Sequence, residues 1–308
     1  MPTLYLDLET YSKTPIKHGT YRYAQDAEIL LFAYAVDDKP AQVLDLTGQK
    51  NYSLIVEQLL AEADTLVAHN AMFDRNVLKY NGFVTPVDKW RDTMITAYCH
   101  GLVGLLSDLC DIVGVKAEHS KDKDGRRLVL QFCKPQGKHR KLERATTDTH
   151  PEDWAKFVEY ARLDVEAMRA IDNAMPSWNM KTEQRHWLLN QRINDRDFAV
   201  DMELVNSAMT TIKAEKKRLA KVTQDKTNDD VQSATQRDAM LEHLLQEYGI
   251  TLPDLQKSTL EKRLADDSVP KPVKELLRIR LQASTTSTSK YQALQRSVND
   301  DGRLRGTL

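Results

Sequence analysis

The stretch TLYLDLET, residues 3–10, decides how the rest of the chain is read. Leu4, Leu6 and Leu8 occupy one set of alternate positions, and Tyr5, Asp7 and Glu9 occupy the other. Successive side chains of a strand point to opposite faces, so this pattern predicts a strand anchored by a leucine face, with two carboxylates side by side on its other face. Neighbouring like charges on an anchored strand are destabilising, so the pair calls for partners elsewhere in the chain.

Two more strand-like runs follow, EILLFAYAV at 28–36 and AQVLDL at 41–46, joined by the turn residues Asp37, Asp38, Lys39 and Pro40; together they predict a small antiparallel meander. SLIVEQLLAEA then has apolar residues at helical spacing, TLVAH is a short apolar run, and AMFDRNVLKYNG reads as a helix closed by Gly82. A second passage pairs a short strand in WRDT with helices in MITAYCHGL and LLSDLCDIVGV. Strands alternating with helices imply a mixed α/β sheet with covered faces. Lys116 to Arg144 is dense in Lys and Arg, is punctuated by Gly125, Pro135 and Gly137, and reads largely as an exposed basic loop. HPEDWAKFVEYARLDVEAMRAIDNAM opens with Pro-Glu-Asp, suited to a helix N-terminus, and runs as one long amphipathic helix to Pro176.

Pro176 and Ser177 mark the expected boundary, with residues 1–178 as an α/β domain and 179–308 as a mostly helical region. Beyond it, residues 182–221 and 234–248 read as helices, followed by a Pro-punctuated helical array to about residue 296, with no strand-like alternation of any length.

Composition bounds the possibilities. The chain of 308 residues is 41% hydrophobic and 29% charged, which suits about two ordinary globular domains. Its net charge of −1 argues against a uniformly basic nucleic-acid coat, but residues 1–178 hold 22 Lys/Arg against 26 Asp/Glu, and the remainder 22 against 19. An acidic half before a mildly basic half suits a carboxylate-rich site and a surface that meets phosphates. Cys99, Cys110 and Cys133 show no metal spacing, and reduced thiols in a cytoplasmic protein are the expectation. No run approaches the roughly 18 apolar residues of a membrane span, and no secretion signal is recognisable.

Asp-x-Glu is a weak signal alone. Asp74 lies in the first turn of the helix after TLVAH, where an acid commonly stabilises the helix dipole, and Tyr160 and Asp164 share a helix face four residues apart. Acids on a first strand, at a strand-to-helix junction and on a late helix can converge on one site, because the end of a mixed sheet brings such elements together. Four close carboxylates stay partly protonated unless a cation neutralises them, and oxygen-only ligands favour Mg²⁺ or Mn²⁺. Two such ions ~3.5–4 Å apart suit phosphodiester hydrolysis.

In this order LDLET, HNAMFD and YARLD resemble the three exonuclease motifs of the DEDD superfamily, the proofreading 3′→5′ exonucleases. That family has a branch with Tyr four residues before the last Asp and one with His five before it. Here those positions hold Tyr160 and Glu159, so the sequence resembles the Tyr branch. The resemblance implies a ribonuclease H-like fold and a site of Asp7, Glu9, Asp74, Tyr160 and Asp164. Asp7, Glu9 and Asp164 would hold the ion that carries the attacking water, and Asp7 and Asp74 the second ion. Tyr160 would orient the water, and nucleoside 5′-monophosphates would leave a frayed 3′ end. Asn70 and Phe73 flank the second motif as candidates for positioning the strand or the metal shell.

IKHGTYRYAQDAEILLFAYAVDD, QRINDRDFAVDMELV, KELLRIRLQASTTSTSKYQAL and DDGRLRGTL are similar to segments of phage-type family A DNA polymerases. The helical region is then thumb-like, with Arg278, Arg280, Ser284, Thr285, Thr286, Ser289, Lys290, Arg303 and Arg305 as candidate donors to DNA phosphates. Such polymerases continue into palm and fingers, so the expectation is a fragment that does not polymerise. The expected partners are a single-stranded DNA 3′ end and primer-template DNA, with no membrane, and a processivity partner is left open. Two other readings stand beside this one: a stand-alone RNA exonuclease of the ribonuclease D kind, and a DNA-binding module with little turnover.

Overall fold

The computed structural model describes residues 2–48, 52–115, 123–137, 142–176, 180–284 and 288–308. Strand β1 (Thr3–Tyr11) is the middle of a five-stranded sheet of order β3-β2-β1-β4-β5, with β2 (Glu28–Val36), β3 (Gln42–Asp45), β4 (Thr65–Ala68) and β5 (Trp90–Asp92). The meander β1-β2-β3 is antiparallel, as the turn residues predict, while β4 pairs parallel with β1 and β5 parallel with β4. Parallel neighbours need a crossover, which α2 (Tyr52–Glu62) and α3 (Ala71–Tyr80) supply.

Both faces of β1 are covered. Leu4, Leu6 and Leu8 pack with Val56 and Leu60 of α2, Val77 and Leu78 of α3, and Trp90. On the other face Tyr5, Leu31, Ala33 and Val67 meet Trp154, Phe157, Ala161, Val165 and Met168 of α7 (Pro151–Ala174). Each large apolar side chain buried this way contributes about 1.5–3 kcal/mol, so the acid-bearing face is held under a helix rather than left to solvent.

Helix α7 begins as its sequence predicts, with Pro151 in the first turn beside Glu152 and Asp153. Polar ties then set its height and rotation. Trp154 Nε1 donates to Asp45 Oδ2 at 2.8 Å, Ala41 N to Glu166 Oε1 at 2.8 Å, and Tyr5 Oη to Asp172 Oδ2 at 2.9 Å. Arg91 grips the same Asp172 through two bonds of 2.6 Å. Helices α1 (Thr20–Asp26), α4 (Thr93–Cys99) and α5 (Leu106–Val113) precede the segment expected to be a basic loop.

That expectation is corrected by α6 (Lys123–Phe132). Leu128 and Phe132, four residues apart and wholly buried, stack one above the other on a helix, and Phe132 lies 4.9 Å from the Trp154 ring and 5.2 Å from that of Phe157. The basic residues Arg126 and Arg127 take the exposed side, which hid an apolar stripe inside a Lys/Arg-rich segment. Residues 116–122 and 138–141 of that segment lie outside the described residues.

The remaining elements are α8 (Met180–Arg196), β6 (Phe198–Ala199), α9 (Met202–Lys226), α10 (Arg237–Tyr248), α11 (Lys257–Ala265), α12 (Lys271–Ala283), α13 (Ser289–Ser297) and β7 (Arg303–Leu304). The helix expected over 182–221 is broken: Asp197 adopts φ 36°, β6 follows, and α9 restarts where the Asp201 carboxylate accepts from Leu204 N at 2.9 Å. β6 and β7 pair antiparallel over two residues each, too short for alternation to announce them. By contacts the chain forms one compact unit of Met1–Ala199 with Val298–Leu308 and another of Val200–Ser297. Helix α8 and the last residues thus pack with the sheet, although the composition shift at Pro176 groups them with the helical region. Two contacts hold α8 there: Arg75 of α3 and the half-buried Asp195 of α8, joined at 2.7 Å, and Trp187 of α8, buried in the leucine-face core.

The second unit has its own core, in which Val231, Met240, Leu244, Leu260, Val273, Leu276 and Leu277 are buried together. The architecture is therefore the expected one, a mixed α/β sheet layered by helices and then a helical region. Among the described residues no helix is long and apolar enough to cross a membrane.

Candidate active site

Asp7 and Glu9 project from β1 toward α7, which brings Asp164 down onto them. One carboxylate oxygen from each of the three lies within 4.8 Å of the others. The strand is altered at this point: the β1–β2 register, which pairs Asp7 with Ala33 and Glu9 with Leu31, shifts between Glu9 and Thr10. Such a bulge re-aims side chains next to a site and ends the regular pleat.

Asp74 enters from the β4–α3 junction. Asn70 at the head of α3 adopts the left-handed conformation, φ 69°, a turn that asparagine tolerates better than most residues. Asp92, at the end of β5, locks that turn by accepting from Asn70 N at 3.0 Å and Ala71 N at 2.8 Å while capping α4 through Met94 N at 2.9 Å. The sequence reading passed over Asp92. Its signal was an Asp directly before a helix, the ordinary mark of an N-cap. Asp74 is buried, and its Oδ1 has no hydrogen-bond partner among the described residues. An orphaned buried carboxylate oxygen costs several kcal/mol unless something arrives to meet it.

The electrostatics follow from burial without a counter-charge among the described residues. Burial raises Asp7 to about 6. Burial, then the charge of Asp7, raises Asp164 to about 7. Glu9 is driven well above its ordinary range by burial and by the charges of Asp7 and Asp164, and Asp74 by burial and the charge of Asp7. The Tyr160 hydroxyl bonds to the Asp164 carboxylate, and burial with the charges of Asp164 and Glu9 pushes its pKa far up, so it stays protonated at any working pH. Among the described residues Asp7, Glu9 and Asp164 form a group able to hold a metal ion. An all-oxygen donor set with an unmet oxygen on Asp74 fits a hard divalent cation.

A cavity of about 790 Å³ opens beside Glu9, walled by Leu8, Tyr23, Phe73 and Val129, with Lys13 and Lys134 also lining it. Phe73 is half-buried, its ring 5.7 Å from that of Tyr23, so it faces both the core and this space.

The candidate phosphate donors fare differently. Arg278 is exposed on α12, and Ser289 and Lys290 are exposed at the start of α13. Arg280 is half-buried and donates to Ala234 O at 2.8 Å, and Ser284 Oγ donates back to Arg280 O. Arg303 donates to Arg196 O and Asp197 O, and Arg305 to Asp195 O and both carboxylate oxygens of Asp301. These last two guanidinium groups tie the chain end to α8 in the first unit. Thr285 and Thr286 lie outside the described residues.

No protein-family model matches the chain. A DNA polymerase of Bacillus phage SP02 is 34% identical over 320 residues, which take in 100% of this chain and 48% of the relative. The chain is homologous to that polymerase along its whole length and spans about half of it. Among solved structures, the POL domain of Pol1 from M. smegmatis, in complex with DNA primer-template and dNTP, superposes with a TM-score of 0.54 at 14% identity. The match covers 99% of this chain and 48% of that one, and at such identity it speaks for the fold alone.

Proposed function

Starting from a chain homologous over its whole length to a phage DNA polymerase, we propose that its first unit is a metal-dependent 3′→5′ exonuclease of the proofreading kind, acting on DNA 3′ ends. One observation carries this reading: oxygens of Asp7, Glu9 and Asp164 gather within 4.8 Å of one another, and Asp74 adds an oxygen unmet among the described residues. A cluster kept for stability alone would contain a Lys or Arg.

Asp7, Glu9, Asp74 and Asp164 would hold two divalent cations, Mg²⁺ or Mn²⁺. Bound there, such ions supply the charge that activates the attacking water and stabilises the leaving oxygen. The protein's own groups do the rest. Tyr160, held protonated, orients the water through its hydroxyl and does not act as the base. Phe73 offers an aromatic face to the last nucleoside in the cavity beside Glu9, and half-buried Asn70 shapes the helix turn that carries Asp74. Glu9 lines the cavity and its carboxylate neighbours lie beside it, so the cluster would repel a phosphate until cations neutralise it, which couples cleavage to metal occupancy. In the second unit Arg278 and Lys290 are exposed donors for DNA phosphates, with Ser289 beside them.

The test is incubation of 5′-labelled single-stranded DNA, matched duplex and RNA with Mg²⁺ or Mn²⁺ and then with EDTA, beside an Asp7→Ala, Glu9→Ala variant. Metal-dependent shortening of DNA from its 3′ end, lost in the variant, is the expected result. Preference for RNA moves the assignment to a ribonuclease D-like enzyme. Binding without metal-dependent cleavage leaves a DNA-binding module and removes the exonuclease.

A further inference from the structure

The helix α6 touches the candidate site at two places. At its start, Gly125 is buried against the ring of Tyr160: a Cβ on Gly125 would lie 2.6 Å from Tyr160 Cε2 and 2.9 Å from Cδ2. Those distances are far inside van der Waals contact, so a side chain of any size at this position displaces the ring. Gly125 lies in helical backbone and not in the left-handed region, and helix propensity alone favours alanine there. The glycine is thus explained by the approach of the ring and not by the chain's own conformation. Directly after the helix, Cys133 Sγ donates to Glu9 Oε2 at 3.6 Å, and Cys133 O accepts from Ser12 N at 3.5 Å. Glu9 is the carboxylate next to the register shift, where the regular β1–β2 pairing is interrupted before it resumes at Thr10 and Tyr11.

The helix itself is firmly seated. Phe132 stacks among Trp154 and Phe157 of α7, and Arg127 and Gln131 both donate to Asp153 in the first turn of α7. A rigid element that contacts two different site residues from one side can set their relative position.

We propose that α6 and Cys133 form a positioning element for the active site, in which Gly125 admits the Tyr160 ring to its working place and the Cys133 thiol fixes the Glu9 carboxylate. This inference rests on the exonuclease reading for its consequence in catalysis, but the placement of both residues is measurable without turnover. Gly125 and Cys133 are positioning residues, since neither needs to touch the reacting atoms.

The experiment compares Gly125→Ala, Cys133→Ala and Cys133→Ser with the native chain and with Tyr160→Phe. Mn²⁺ binding, read from the electron-resonance signal of free Mn²⁺, is expected to weaken about tenfold in Cys133→Ala and to recover in Cys133→Ser, which restores a donor. Fluorine NMR of protein carrying fluorotyrosine, with the Tyr160 signal assigned by its loss in Tyr160→Phe, is expected to shift in Gly125→Ala while Mn²⁺ affinity holds. In cleavage assays Gly125→Ala lowers kcat about tenfold with KM unchanged, and adds no further loss to Tyr160→Phe because both act through one hydroxyl. The idea is overturned if Cys133→Ser binds Mn²⁺ no better than Cys133→Ala, if the Tyr160 signal does not move, or if Gly125→Ala costs the same factor in the Tyr160→Phe background. A native chain that does not cleave DNA defeats the exonuclease reading, and the Mn²⁺ and NMR measurements then still decide this one.

Discussion

Two buried regions of the first unit handle carboxylates in opposite ways. At Asp195, burial pushes the carboxyl up, but the hydrogen bonds and charge of Arg75 together with the Tyr21 hydroxyl outweigh it and hold the group below its ordinary range. At Glu9, Asp74 and Asp164 burial and the charges of neighbouring acids act together, at Asp7 burial acts, and every carboxyl is raised. The side chains are chemically alike and the two places share helix α3, which contributes Arg75 to one and Asp74 to the other. A neighbouring guanidinium makes one place a finished joint; among the described residues the other has none, which is what the proposed cation site rests on.

The largest effect should separate the two by activity. Asp7→Ala or Asp164→Ala is expected to lower metal-dependent DNA cleavage by at least about 10³-fold, as measured by initial rates, while leaving the metal-free melting temperature unchanged or raised. Loss of stability alongside loss of activity would mean that these acids are structural after all. The converse substitution, Arg75→Ala, leaves the half-buried Asp195 without its counter-charge, with only the Tyr21 hydroxyl to meet it, and is expected to destabilise the fold by up to ~3 kcal/mol in urea unfolding. The difference between this variant and the native chain should not depend on Mg²⁺, because no site ligand is touched.

Cations give a smaller shift. At a hundred times its dissociation constant, Mg²⁺ should add ~2.7 kcal/mol to the native chain and nothing to an Asp7→Ala, Glu9→Ala variant, as judged by thermal melting. An equal shift in both proteins would place the ion elsewhere.

The smallest effect is in pH. Without metal, the folded protein keeps protons on Asp7 to about 6 and on Asp164 to about 7, whereas unfolded carboxyls release theirs near ~4. The folded state then binds more protons across that interval, so this contribution to stability falls as pH rises from about 4 to about 7. Asp195 has the opposite sign: its contribution is present above the ordinary carboxylate range and is lost as pH falls below it. Subtracting the profile of an Asp7→Asn, Asp164→Asn variant isolates the first slope, and saturating Mg²⁺ should flatten it. A subtracted profile that rises with pH would contradict the assignment.

How much of this was readable beforehand depends on the range of the interaction involved. β2 matches the run EILLFAYAV residue for residue, because two-residue alternation and flanking turns are local signals. The acids were found because three short motifs carry them, two in the first and one in each of the others, but their convergence rested on the sheet order that a parallel crossover imposes. Helix α6 was missed because its stripe is short, Leu128 and Phe132 with Val129 beside them, and lies among charges that dominate any average over the window. Arg303 and Arg305 look like phosphate ligands by residue type. Only their partners, the carbonyls of α8 and its following turn and the Asp301 carboxylate, show them tying the chain end in place.

By itself, then, the sequence determined which residues alternate, which recur at helical spacing, and that Asp7, Glu9, Asp74, Tyr160 and Asp164 stand at positions able to share one face of a sheet. Those properties depend on neighbours a few residues away. The tertiary structure alone decided that Asp92 locks the turn bearing Asp74, that Arg75 holds α8 against the sheet domain, and that Gly125 and Cys133 press on Tyr160 and Glu9. Each joins residues more than twenty positions apart, and a contact made by closing a long loop leaves no period in the chain from which it could be read.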